Sequence, residues 1–326
     1  MIDKDDALTP RPELSAEEFA QRIESLGEAT VTEVTIFSDL DRAKLSIIRR
    51  AWPRLPLDTR RQLVTLMNEL GEENIEYNFS RVLKVALRDA DPAIRTQAIT
   101  GLWEDDSEDI LAYLIEEGVT DPDRIVREEA TRAIGRFAQL LAEEELSPRW
   151  FTPLRAKLLE LVRGQDSTEV RRRALEALAV YTDDPDVTTE IRRAYESDDE
   201  QLRESALYAM GRNLDERWLA TILQEMGSSE AGLRYEATRA SGEFGDRRAV
   251  PQLLELLGDD DREVQLAAVA ALGRIGGDAS IRILKRLAGT KDDIVREAAE
   301  EALDEASFMT NPIGVGNRLD RGRAGE

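Results

Sequence analysis

Asp123-Arg124-Ile125-Val126-Arg127-Glu128-Glu129-Ala130-Thr131-Arg132-Ala133-Ile134-Gly135 holds a pattern that recurs along the chain. An acidic residue is followed three positions later by a β-branched or Leu residue, then Arg. Small or apolar residues stand three, six and seven positions beyond that Arg. Asp199, Leu202, Arg203, Ala206, Ala209 and Met210 repeat it, as do Asp261, Val264, Gln265, Ala268, Ala271 and Leu272. Asp292, Val295, Arg296, Ala299, Ala302 and Leu303 repeat it again. The Arg-equivalent positions are Arg95, Arg127, Arg171, Arg203, Arg234, Gln265 and Arg296, spaced by 32, 44, 32, 31, 31 and 31 residues. A looser copy runs through Arg60, Leu63, Leu66 and Met67. Such spacing marks tandem structural repeats.

Counted from the Arg, positions −1, +3, +6 and +7 fall on one face of a helix. The small Ala residues on that face let a neighbouring helix come close. The acidic residue at −4 stands where an N-cap belongs, and Asp91-Pro92 adds the expected Pro at the first helical position. Gly at +8 (Gly135, Gly211, Gly242 and Gly273) falls near the expected helix end. A second apolar-periodic segment precedes each such helix, as in 249–257 and 281–287. Each repeat is therefore a pair of antiparallel helices with a face that only a neighbouring repeat can cover. About eight pairs are expected between Asp39 and Asp304, after an N-terminal helix opened by a capping box at Ser15 and Glu18.

The run Gly245-Asp246-Arg247-Arg248-Ala249-Val250-Pro251-Gln252-Leu253-Leu254-Glu255-Leu256-Leu257, continuing through Asp261 to Gly273-Arg274-Ile275-Gly276, resembles the short HEAT repeat of the PBS-lyase type. The resemblance is strong over residues 80–304, weaker over 39–79 and absent from both ends. It implies an all-α, right-handed α-solenoid with the second helix of each pair lining the concave side. It also implies that the Arg series forms a structural ladder with acidic loop residues of adjacent repeats, in which Gln265 is a neutral rung. The expected organisation is a disordered N-terminus (1–14), a capping helix and connection (15–38), the HEAT-repeat solenoid (39–306) and a disordered tail (307–326). The spacing of 44 marks an insertion around 139–151, read as a longer second helix and connection with Trp150 and Phe151 covering the apolar step.

Composition narrows the function. The 326 residues include no Cys and no His, which removes thiolate nucleophiles, the usual zinc ligands and the commonest neutral-pH general base. Neither Glu104–Asp109 nor Asp259–Asp261 has the ligand order of a calcium loop, and both read as caps at helix starts. No catalytic, cofactor or metal site is therefore expected. The net charge of −23 disfavours nucleic acid and favours basic proteins or peptides. No apolar run is long enough to span a bilayer and no signal peptide is visible, so a cytoplasmic location is expected.

Positions +1, +5 and +8 point away from the paired helix and hold Trp103, Tyr208, Tyr235, Arg239 and Leu266, together with Glu128 and Glu204. The first five are the expected protein-binding residues, since interface hot spots favour Trp, Tyr and Arg. The expected function is a non-catalytic protein-binding scaffold or adaptor. The alternative is an enzyme-associated subunit like those of phycocyanobilin lyase, another group with this repeat type. Deoxyhypusine hydroxylase, a helical-repeat relative with His-Glu iron ligands, is excluded by the absence of His.

Overall fold

A repeated N-cap starts the second helix of almost every pair. In the computed structural model, which describes residues 14–27 and 29–310, the side chains of Asp91, Asp123, Ser167, Asp199 and Asp261 each accept from backbone N–H groups of the helix they open. Asp292 does the same for Val295 N–H at 3.2 Å. The Ser15–Glu18 capping box is formed as the sequence predicts.

The described residues contain helices and no strand. The chain divides into two compact units at Leu154/Arg155. Unit 1 contains α1 (Ala16–Glu24), α2 (Val31–Val34), α3 (Arg42–Ala51), α4 (Leu57–Glu73), α5 (Ser80–Ala86), α6 (Pro92–Gly101), α7 (Glu108–Glu116) and α8 (Arg124–Ala142). Helix α9 (Phe151–Arg163) begins just before the boundary. Unit 2 continues with α10 (Thr168–Leu178), α11 (Pro185–Tyr195), α12 (Glu200–Asn213), α13 (Leu219–Glu225) and α14 (Ala231–Phe244). It ends with α15 (Val250–Leu256), α16 (Arg262–Ile275), α17 (Gly277–Leu287) and α18 (Asp293–Thr310). The eight expected pairs run from α3/α4 to α17/α18. Helix α18 passes the expected limit at 306. The rest of the 307–326 tail, and the N-terminal segment apart from Leu14, lie outside the described residues.

Within each unit the second helices stack on one another: α4 on α6 and α6 on α8, then α10 on α12, α14, α16 and α18 in turn. The face that the periodicity specifies is buried. At +3, Ala98, Ala130, Ala174, Ala206, Ala237, Ala268 and Ala299 are all 0% exposed. A larger residue there would hold adjacent helices apart, so the Ala column sets the close approach.

The +8 glycines have a different role from the one expected. Helices α12, α14 and α16 continue past them, so they are not C-caps. A Cβ on Gly211 would lie 2.7 Å from Ala240 Cβ, one on Gly242 2.9 Å from Ala271 Cα, and one on Gly273 2.8 Å from the Ala302 carbonyl oxygen. Each of those Ala residues is the +6 position of the next repeat. The glycines are the points of contact between successive second helices.

The Arg ladder that the resemblance implies forms in part. Arg95 donates to the Asp121 carboxylate at 2.7 and 2.8 Å and to the carbonyls of Asp89 and Ala90. Arg234 makes the same set with Asp259, Ser228 and Ser229. Arg60 pairs with Asp89 in the first copy. These three guanidinia reach the carboxylate six residues before the next repeat's Arg, and Arg95 and Arg234 also tie down their own loops. The Arg234 hydrogen bonds hold Asp259 below the usual carboxylate range, against the opposing effect of burial. Gln265 keeps the local bond to the Asp259 carbonyl, and the residue six before Arg296 is the neutral Thr290.

The 139–151 insertion lengthens α8 and adds a connection with Glu144 at φ 62°. Trp150 lies under the Arg149 guanidinium, 5.6 Å from Cζ to ring centroid. Phe151 remains 49% exposed, so it does not close over an apolar step as expected.

Candidate functional site

The +1 and +5 columns of unit 2 bring three of the expected residues together. Tyr208 on α12 and Tyr235 on α14 are both half-buried. The Arg239 guanidinium lies between them, with Cζ 5.5 Å from the Tyr208 ring centroid and 5.7 Å from that of Tyr235. It is also 3.2 Å from Glu236. This arrangement follows from the repeat. Tyr235 and Arg239 are one turn apart on α14, and stacking places Tyr208 of the preceding repeat on the other side of the guanidinium.

Carboxylates surround this group. Glu176 receives hydrogen bonds from Arg173 at 3.0 Å and from Ser205 at 2.6 Å. Glu204 lies over Gly232, so that a Cβ there would meet its carboxylate. Burial pushes Glu236 above its ordinary carboxylate value. Glu176 and Glu204 add to the rise, and Arg239 opposes it. Burial also raises Glu204, with Glu200 adding to the effect. The surface is therefore a stacked cation beside Glu204 and Glu236, whose negative charge is already costly to hold. Such carboxylates gain from a further cation.

Leu266 lies in a groove between α16 and α18, about 490 Å³, with Ala270, Ile294 and the row Glu297, Glu301 and Glu305, and none of Tyr208, Tyr235 or Arg239 lines it. Trp103 belongs to unit 1. Helix α6 ends at Gly101, so position +8 falls in the following turn and not on the second helix, and the indole is 59% exposed. Sequence reading missed Ile75 (96% exposed), which lies in a loop outside the repeating columns, and Ile294 (57% exposed), which stands at −2, a column it did not consider. It named Glu204 but not Glu236, which stands at +2 and is brought to the cluster by its neighbour across the stack.

Among the described residues no cluster of His, Cys, Asp or Glu is arranged to hold a metal ion, and no helix is long and apolar enough to cross a membrane.

A family model described as HEAT repeats matches residues 80–148, 155–226 and 217–304. No curated protein matches the sequence. Among solved structures, the complex of CpcE and CpcF of phycocyanin lyase from Nostoc sp. aligns with TM-score 0.51 and 18% identity, covering 71% of this chain and 92% of that one. Kap95p bound to RanGDP aligns with TM-score 0.55 and 14% identity over 95% of this chain and 49% of that one. Yeast importin-beta (Kap95p) gives 0.54 and 14% over 93% and 45%. This chain spans about half the length of those importin structures. At these identities the likeness is one of fold.

Proposed function

Because the chain belongs to the HEAT-repeat family, we propose that it is a non-catalytic scaffold or adaptor, holding a protein or peptide of basic character on its second-helix face. The observation that carries this reading is Arg239 held between the rings of Tyr208 and Tyr235 beside Glu204 and Glu236. Tyr and Arg are the side chains from which interface hot spots are most often built. The carboxylates add a potential that attracts Lys and Arg, and the net charge of −23 extends it over longer range. Solenoids of like fold hold protein partners: Kap95p binds RanGDP, and CpcE is in complex with CpcF. For the lyase-like alternative, the likeness extends to fold alone.

The test is a crosslinking pull-down from the source cell with the full chain, against Tyr208→Ala/Tyr235→Ala. The double variant is expected to weaken partner binding by on the order of 2 kcal/mol, the scale of a hot spot. Its melting temperature should move far less. If the variant unfolds readily while its folded fraction keeps full affinity, the rings are packing elements and the reading fails. Recovery of an absorbing ligand with no protein would favour the lyase-like alternative.

A pH dependence follows from Glu236. Its folded pKa lies above the unfolded value, so acidification towards that value stabilises the free chain through this group. A partner cation favours the ionised form, so affinity should fall as pH drops from neutral towards the ordinary carboxylate value. Calorimetry giving equal affinity at both ends would remove Glu236 from the contact.

A further inference from the structure

Unit 1 holds a second surface that does not depend on the tyrosine cluster. A cavity of about 640 Å³ opens between α4, the loop at 74–79, α5 and the turn after α6. Ile75 and Trp103 line it, the first 96% and the second 59% exposed. Glu72 and Glu104 also line it, and neither has an ion-pair partner among the described residues. The cations nearby are already engaged. Lys84 contacts Asp105 at 3.0 Å and Asp109 at 3.1 Å, and Arg81 donates to the Leu40 carbonyl. Free carboxylates and an exposed indole share one complement, a cationic hydrogen-bond donor.

A smaller recess of about 200 Å³ adjoins this cavity, and Trp103 is the residue common to both. Its lining is mainly apolar, including Ile99, Leu102, Ala133 and Phe137. Arg132 and Arg136 at its edge are paired with Glu129 and Asp106. Trp103 thus borders both an acidic cavity and a mainly apolar recess.

We propose that Trp103 borders both compartments of a site for a peptide segment in which Lys or Arg stands next to an aliphatic residue. The cation enters the larger cavity and meets the ring face and the Glu72 and Glu104 carboxylates. The aliphatic neighbour enters the mouth of the recess beside Ala133 and Thr100. Charge complementarity selects the partner's sign, and the adjoining apolar recess selects an amphipathic segment over a purely basic one.

The test uses the full chain and three fluorescein-labelled peptides on a Gly-Ser backbone, centred on Leu-Arg-Leu-Arg, Leu-Gln-Leu-Gln or Ser-Arg-Ser-Arg. Anisotropy at physiological ionic strength should show the first binding roughly tenfold or more tighter than either other, a difference of about 1.4 kcal/mol. Trp103→Ala and Glu72→Gln/Glu104→Gln should each remove about that preference. Tyr208→Ala/Tyr235→Ala should leave it intact, which separates this site from the proposed unit 2 surface. Circular dichroism confirms that each variant is folded. Three outcomes overturn the proposal: binding indifferent to Trp103→Ala, equal binding of both Arg peptides, or concentration-dependent self-association that Trp103→Ala abolishes. The last would identify a second copy of the chain as the occupant.

Discussion

Asp89→Ala is expected to cost about 3–5 kcal/mol, the range for removing one partner of a buried ion pair. The Asp89 side chain is 0% exposed and accepts from the Trp52 indole N–H at 2.7 Å, from Arg60, and from the backbone N–H of Asp91 at 2.8 Å. Arg60 is only 12% exposed, and its Nε already lacks a partner. Truncation would leave a buried guanidinium and a buried indole N–H without acceptors, and would release the 89–91 turn that leads into α6. The cost therefore exceeds the net worth of the pair. Arg60→Ala/Asp89→Ala removes both charges and should lose less than the sum of the single changes. Urea unfolding reads the difference directly. A loss below about 1 kcal/mol for Asp89→Ala would place this rung among ordinary surface ion pairs.

The caps and the helix pairs were legible because each is encoded within one repeat, whereas the ladder joins successive repeats and was expected from the family resemblance. A carboxylate at −4 is a cap wherever the helix starts, and an Ala at +3 is on the buried face whatever lies opposite. Features that depend on a residue about 31 positions away were harder to read. Gly at +8 satisfied a local rule for helix ends, yet its role is set by the +6 Ala of the following helix. Arg239 reads alone as a rim charge, and only stacking places Tyr208 opposite Tyr235 and encloses it. Trp103 fits the +8 column by number, but α6 ends before reaching it, so the residue changes neighbours altogether. Ile75 carries no periodic signal, because it lies in a loop outside any repeating face.

Gly242→Val should destabilise the chain by about 3 kcal/mol, near the upper end for overpacking a tight contact. A Cβ at 242 meets the backbone Cα of Ala271 at 2.9 Å and its Cβ at 3.0 Å. Neither can rotate away, so α14 and α16 must move apart. Because repeats are stabilised largely by interfaces with their neighbours, the damage should appear as reduced cooperativity as well as a lower midpoint. Gly211→Val/Gly242→Val should deepen both effects, since it opens two successive interfaces along one stack. Gly135 occupies the same repeat position in α8, and a Cβ there meets nothing within 4 Å. With no contact to strain, Gly135→Ala should instead gain up to about 1 kcal/mol from helix propensity. The two glycines thus predict opposite signs from one sequence column, and denaturant titrations of the three variants decide the matter. Equal losses at 135 and 242 would mean that the +8 glycines serve a common backbone role, and that inter-helix contact does not explain them.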